Sequence, residues 1–190
     1  ACFVRAQSIA AGIGEFSIHK EFVSAKVAGE TASLTNPALD RILDLAAEAG
    51  LVRYRCIDLR AHTHDKHNTV DDAPFGGGPG MVMKPQPFFE AVEALEAKAP
   101  IVLLSPRGKV FSHAHAERYA AGDQLTLLCG PYKDVDQRVA DHLAPEELSL
   151  GDFVLSGGEP AALAVVDAVV RLLPGAMSDI ESARTDSFFD

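Results

Sequence analysis

Glycine stands in this chain at several places where a side chain would serve core building better. Those places could hold a ligand against bare backbone. Between Val70 and Met81, Gly76, Gly77, Gly78 and Gly80 put four glycines within five residues, opening conformations closed to other residues. The segment lacks the Gly-Lys-Ser/Thr ending of a phosphate loop, which argues against a nucleoside triphosphate there. A flexible turn is the plain alternative. Two further segments run from Leu103 to Gly108, with Ser105-Pro106-Arg107-Gly108, and from Ser149 to Glu159, with Gly151, Gly157 and Gly158. Each belongs to the end of an apolar run, as does Cys129-Gly130. Ligands of open α/β sheets gather at the carboxyl edge of the strands. Three such loops converging there would offer backbone N–H and C=O groups to an adenine and a ribose without a charged anchor.

Other chemistry is poorly supported. His62, His64 and His67 lie close together near Asp58 and Asp65, but their spacing matches no zinc pattern and no cysteine joins them, so a solvated polar loop is expected. His113 and His115 point to different faces of a short helix and make no ligand pair. No serine stands in a Gly-x-Ser-x-Gly elbow.

The elements that must position these loops follow from punctuation and periodicity. Asn36, Pro37 and the apolar positions Leu39, Ile42, Leu43, Ala46 and Ala49 predict a helix ended by Gly50. Leu51 to Leu59 reads as a strand, followed by a long polar loop. A helix is expected over Gln86 to Lys98, started by Pro85 and Pro87. Ile101 to Ser105, ended by Pro106-Arg107-Gly108, and Leu125 to Cys129, ended by Gly130-Pro131, are apolar on both faces, the mark of buried parallel strands. Helices are expected over Ser112 to Ala121, Asp136 to Leu143 and Glu159 to Leu173. Leu148 to Leu155 reads as a third strand. The alternation predicts an α/β domain with a mostly parallel sheet. No element is predicted in residues 1–35, and Ser178 to Asp190 is expected to be a polar, mobile tail.

Composition bounds the partners. The 190 residues are 47% hydrophobic and 23% charged, enough for one sizeable core. Three cysteines without a Cys-x-x-Cys spacing indicate neither a disulfide framework nor a zinc knuckle. No apolar run approaches a membrane span and no leader opens the sequence, so a soluble chain of the reducing cytoplasm, with no membrane partner, is expected. Seventeen Lys and Arg against 27 Asp and Glu give a net charge of −10. By itself that balance argues against nucleic acid.

Taken together, the motifs resemble one family. Thr63 to Met81, Ser105-Pro106-Arg107-Gly108 and Ser149 to Glu159, with Arg171-Leu-Leu-Pro-Gly175 and Thr185-Asp186-Ser187-Phe188, are similar to the bacterial tRNA (guanine-N1)-methyltransferases of the SPOUT class, from about Leu39 to Asp190. The resemblance implies a SPOUT-type parallel sheet with helices on both faces and a C-terminal trefoil knot. It also implies an obligate homodimer, bent S-adenosylmethionine in the knot, and methylation of guanine N1 next to the tRNA anticodon. Magnesium is described for the family. Carried over by motif, the cofactor-binding positions are Leu104, Ser105, Pro106, Gly130, Tyr132, Ser149, Leu150, Gly151, Phe153, Leu155, Gly157 and Gly158. Asp186 is the general base and Arg171 the guanine-orienting cation; each site combines the knot of one subunit with the Asp186 segment of the other.

The same resemblance divides the chain into a divergent N-terminal segment at 1–35, a cofactor-binding knotted domain at 36–175 and the start of an interdomain linker at 176–190. The family's C-terminal helical domain is expected to be missing. After the middle strand the family reads Gly-Arg-Tyr-Glu-Gly where this chain has Gly130-Pro131-Tyr132-Lys133-Asp134. That difference leaves a second expectation, a relative that binds S-adenosylmethionine without methylating.

Overall fold

A computed structural model of the chain describes residues 2–6, 13–14, 52–131 and 134–176. The helix expected over Asn36 to Gly50 lies outside them, as do Tyr132, Lys133 and Asp186. Nine strands, four α-helices and a short 3-10 helix (Leu59–His62) are described: β1 (Cys2–Ala6), β2 (Ile13–Gly14), β3 (Val52–Asp58), β4 (Asp71–Asp72), β5 (Val82–Met83), α1 (Pro85–Ala94), β6 (Ile101–Val110), α2 (His113–Ala120), β7 (Leu125–Leu128), β8 (Asp134–Val135), α3 (Gln137–His142), β9 (Glu146–Ser149) and α4 (Glu159–Val170). The main sheet has the order β1-β3-β2-β7-β6-β9, with β1 also paired to β7. The pairings β2–β3, β2–β7, β6–β7 and β6–β9 are parallel, while β1 runs antiparallel to β3 and β7. Residues 1–35, in which no element was expected, thus contribute two short strands to the sheet.

The pleat divides the core. Val102, Leu104, Leu125, Leu127 and Leu148 pack on one face with Ala116 and Tyr119 of α2 and Val165, Val166 and Val169 of α4. Leu103 and Leu128 turn to the other face, against Phe88 and Ala91 of α1 and Val139 and Ala140 of α3. Both faces are therefore apolar, which is why the central strands read as unbroken hydrophobic runs. Helices cover both. Pro85 and Pro160 sit in the first turns of α1 and α4, where the missing N–H costs nothing.

Three boundaries differ from expectation. α1 stops at Ala94, four residues before Lys98, because Glu96 turns into the left-handed region at φ 49°. The run Leu148 to Leu155 contributes only its first two residues to β9. Beyond them the Ser149 hydroxyl donates to the Gly151 carbonyl at 2.7 Å and accepts from the Gly151 N–H at 3.1 Å, folding the chain into a turn that competes with the ladder. Strand β6 resumes after Pro106-Arg107-Gly108: Leu104 and Lys109 both lie opposite Leu148, so residues 105–108 bulge out between them. A Cβ on Gly108 would fall on the Leu148 and Glu147 backbone, 2.6 Å from the Leu148 carbonyl carbon. Only glycine lets the bulge lie that close.

Candidate functional site

The bulge within β6 and the carboxyl ends of β7 and β9 lie on neighbouring strands, and each carries or leads into one of the glycine-bearing segments. The Ser105 hydroxyl accepts from the Arg107 N–H at 3.3 Å, which holds the first bulge. After β7, the Gly130 carbonyl accepts from the Gly158 N–H at 3.2 Å, and Pro131 bridges Gly157. The third loop leaves β9 through the Ser149 turn and re-enters the fold at α4.

Between them is a narrow cavity of about 60 Å³, lined by Leu104, Ser105, Pro106, Gly130, Val135, Leu148, Ser149, Leu150, Phe153, Val154, Leu155, Gly157, Gly158 and Ala161. It has room for a few waters. Its outer wall is exposed: Phe153 keeps 54% and Val154 79% of its surface. Residues 152–156 are the exposed part of the wall, with the least packing to hold them. None of the lining residues is charged; the walls are leucine, alanine and phenylalanine, with glycine backbone and two serine hydroxyls.

Ten of the twelve positions expected at a cofactor line this one cavity. Gly151 stands behind it, where a Cβ would meet the Phe153 ring at 2.8 Å, so its glycine makes room for that ring. Tyr132 lies outside the described residues. Leu148, Val135, Val154 and Ala161 join the lining without having been anticipated. Leu148 and Val154 stand within a run that was singled out, and Ala161 is one helical turn past the last glycine pair. Val135 carried no sequence signal, because β8 is two residues long and takes its place by long-range pairing with β5, Met83 opposite Val135.

Glycine is required at two of these positions for reasons of space. A Cβ on Gly130 would lie 2.5 Å from Val135 Cγ2 and 3.1 Å from Met83 Sδ. One on Gly158 would lie 2.9 Å from the Cys129 Cα. Beside the cavity-lining Gly157, Glu159 opens α4 with its Oε1 shut off from solvent. Burial pushes that carboxyl above its ordinary pKa and raises the neighbouring Cys129 thiol.

Arg171 does not line the cavity. It caps the far end of α4, exposed, twelve residues from Glu159, roughly 18 Å along the axis at 1.5 Å per residue. Asp186 lies outside the described residues.

The glycine-rich loop over 73–81 is the tip of a hairpin made by β4 and β5. Gly76, Gly77, Gly78 and Gly80 have φ values of 90°, 84°, 119° and 92°, and the Phe75 ring stands in solvent. Parallel pairing of β5 with β8 sets this hairpin beside the loop that follows β7. His64 Nε2 is bonded to Glu90 at 2.8 Å. Among the described residues no group of three His, Cys, Asp or Glu is placed to hold a metal, and no helix is long and apolar enough to cross a membrane.

A larger groove of about 870 Å³ opens between α2, α3 and the start of β9, lined by Arg107, Lys109, His115, Arg118, Asp141, Glu146 and Glu147 among others. Its positive and negative groups are balanced, and Arg118 is engaged with Glu146 and the Tyr119 ring. Size alone would favour it. The narrow cavity is the better site because it gathers three sequence-distant loops at the carboxyl edge.

Comparison with known proteins identifies the family. The family described as tRNA (Guanine-1)-methyltransferase TrmD matches residues 31–190. A protein of Dehalococcoides mccartyi named tRNA (guanine-N(1)-)-methyltransferase is 47% identical over 156 residues, covering 80% of this chain and 63% of the relative. Proteins of the same name from Heliobacterium modesticaldum and Koribacter versatilis are 48% and 49% identical, covering 82% and 77% of this chain and 61% and 58% of their own lengths. The chain thus spans about three fifths of the curated relatives it matches. With a match over 160 of its 190 residues and near-half identity to these proteins, the chain belongs to the tRNA (guanine-1)-methyltransferase family.

Proposed function

We propose that this chain is the catalytic part of an enzyme that methylates guanine N1 next to the anticodon of tRNA, using S-adenosylmethionine. The observation that carries the reading is the convergence of ten motif positions, from Leu104 to Gly158, on one cavity at the carboxyl edge of a parallel sheet. The residues fit the cofactor: apolar side chains to take an adenine, the Ser105 and Ser149 hydroxyls and loop backbone to take a ribose, and glycines that keep side chains out. The crossing of β6, β9 and their loops is read as the family's trefoil knot. Bound there, S-adenosylmethionine supplies an electrophilic methyl group on positively charged sulfur.

The protein's own part is to align, to take a proton and to steady charge. Rigid glycine loops fix the direction of transfer toward N1. N1 carries a proton that must leave, and Asp186 is assigned to accept it, a role worth ~10²–10⁴ in rate. As the proton leaves, negative charge gathers on the base oxygen, and the Arg171 guanidinium is assigned to hold it, of order 3 kcal/mol. Since Arg171 stands at the far end of α4, a second protomer is assigned to bring the Arg171 and Asp186 segment of one copy to the cavity of the other. The net charge of −10 is compatible with an RNA substrate if the remaining two fifths of the relatives' length carries the basic surface.

The test is a methylation assay with labelled S-adenosylmethionine, unmodified tRNA and magnesium, followed by mapping of the modified nucleoside. Label on guanine N1 is expected. Cofactor binding without label transfer would instead support a binding relative that has lost activity through the Pro131 to Asp134 loop. Sedimentation that finds only monomers would remove the shared site.

A further inference from the structure

None of the cavity's described lining residues is charged, yet the ligand proposed for it carries a sulfonium. Moving a cation from water into an uncharged pocket is costly unless a counter-ion lies within reach. One carboxyl among the described residues is placed to be that counter-ion. Glu159 Oε1 is sealed from solvent and has no hydrogen-bond partner among the described residues. Its Oε2 occupies the space that a Cβ on the cavity-lining Gly157 would take, with the Pro131 Cα 3.6 Å from the same point. Glycine at 157 therefore leaves space beside the wall that the carboxyl takes. Burial raises the group above its usual pKa, against a smaller lowering by its own backbone N–H.

We infer that Glu159 is the charge-selective residue of the cofactor pocket, its buried carboxylate serving as counter-ion to the sulfonium of S-adenosylmethionine. The inference rests on reading the cavity as the cofactor site and adds a property to it. In methyl transfer the carbon–sulfur bond breaks, the electron pair stays on sulfur, and the product is a neutral thioether; the N1 proton goes to the base. The attraction to Glu159 is present before transfer and gone after it. The pocket then holds the methyl donor more tightly than the spent product and favours its release.

An apo protein with this carboxylate is also strained by it. The fold raises the carboxyl pKa, so it disfavours the charged form, and stability falls as pH rises through the folded-state value. Glu159→Gln removes the charge at nearly constant shape, so it relieves the apo fold at neutral pH while weakening the cationic ligand. A carboxylate kept for structure alone would behave in the opposite way on replacement.

The experiment is calorimetric titration of the full chain and its Glu159→Gln variant with S-adenosylmethionine, with S-adenosylhomocysteine, and with the analogue carrying a protonated amine in place of the sulfonium. Thermal unfolding of both apo proteins accompanies it. In the variant, affinity for both cationic ligands is expected to drop roughly tenfold or more while that for the neutral thioether stays within about twofold, and apo stability is expected to be equal or higher. Equal losses for all three ligands, no loss for any, or a less stable or unfolded variant would overturn the role of Glu159 while leaving the cavity assignment standing. If neither S-adenosylmethionine nor S-adenosylhomocysteine bound the parent chain, the cavity assignment would fall first and this inference with it.

Discussion

Replacing Gly158 by alanine tests whether the cavity depends on the close approach of α4 to the end of β7. Gly158 has φ −76° and ψ −15°, a backbone that alanine adopts freely, so the substitution adds volume without backbone strain. The new Cβ would stand 2.9 Å from the Cys129 Cα and 3.1 Å from its Cβ. Carbon atoms prefer roughly 3.5–4.0 Å, so the helix start and the strand end must part by about 0.6–1 Å. Cys129 is buried and belongs to the core that packs against α4. The parting also stretches the Gly158 N–H to Gly130 bond, now 3.2 Å, beyond useful length. Overpacking costs ~1–3 kcal/mol and the hydrogen bond about 1 kcal/mol. A loss of about 2–4 kcal/mol is expected, a large share of a typical 5–15 kcal/mol.

Urea unfolding measures the stability and titration with S-adenosylmethionine measures the pocket, which should bind at least tenfold more weakly. Gly76→Ala is the control. Its φ is +90° with nothing within 4 Å of the new Cβ, so it should cost ~1–2 kcal/mol from the left-handed backbone and leave cofactor affinity unchanged. A Gly158→Ala protein within about 0.5 kcal/mol of the parent that bound the cofactor normally would refute the packing argument.

Other perturbations follow from the same geometry. Gly108→Ala should prevent soluble folding or lower the unfolding midpoint severely, since its Cβ meets backbone of β9; circular dichroism of the purified variant decides this. Asp136 caps α3, accepting from the Arg138 N–H at 3.0 Å, and its bond to the Arg138 side chain lowers its pKa. Asp136→Ala should cost ~1 kcal/mol at neutral pH, and the difference should vanish as pH falls through the carboxylate range, because a depressed pKa adds stability only while the group is ionised. Asp186→Asn should keep cofactor affinity and cut single-turnover methylation by ~10² or more, and Arg171→Lys should also impair transfer because the planar fork is lost; normal rates in both variants would end their assignment to the reaction.

The cavity was legible in the sequence because glycine is legible: Gly130, Gly157 and Gly158 mark backbone that must approach something closely, and the apolar runs before them mark buried strands. The two-sided burial of β6 and β7 was equally plain in Ile101 to Ser105 and Leu125 to Cys129. What stayed hidden is the part set by long-range pairing. Nothing local announces that β6 skips four residues and pairs Lys109 where Leu104 already pairs. Strands of two residues, such as β5 and β8, are too short to show a period, so Met83 and Val135 could not be placed. The turn after Ser149 was obscured by the apolar character of Phe153, Val154 and Leu155, which reads as strand although all three are exposed. Glu159 ended a motif and opened a helix with no role of its own in the sequence, and what singles it out is its carboxyl against Gly157.

The central claim is that the bulge of β6 and the loops after β7 and β9 together form the cofactor pocket, and hydrogen exchange with and without S-adenosylhomocysteine tests it most directly. Added ligand should slow exchange in three separate segments, 104–108, 129–131 and 149–158, and leave residues 113–118 and 140–146 around the larger groove unchanged. Protection centred on that groove, or confined to a single loop, would contradict the account.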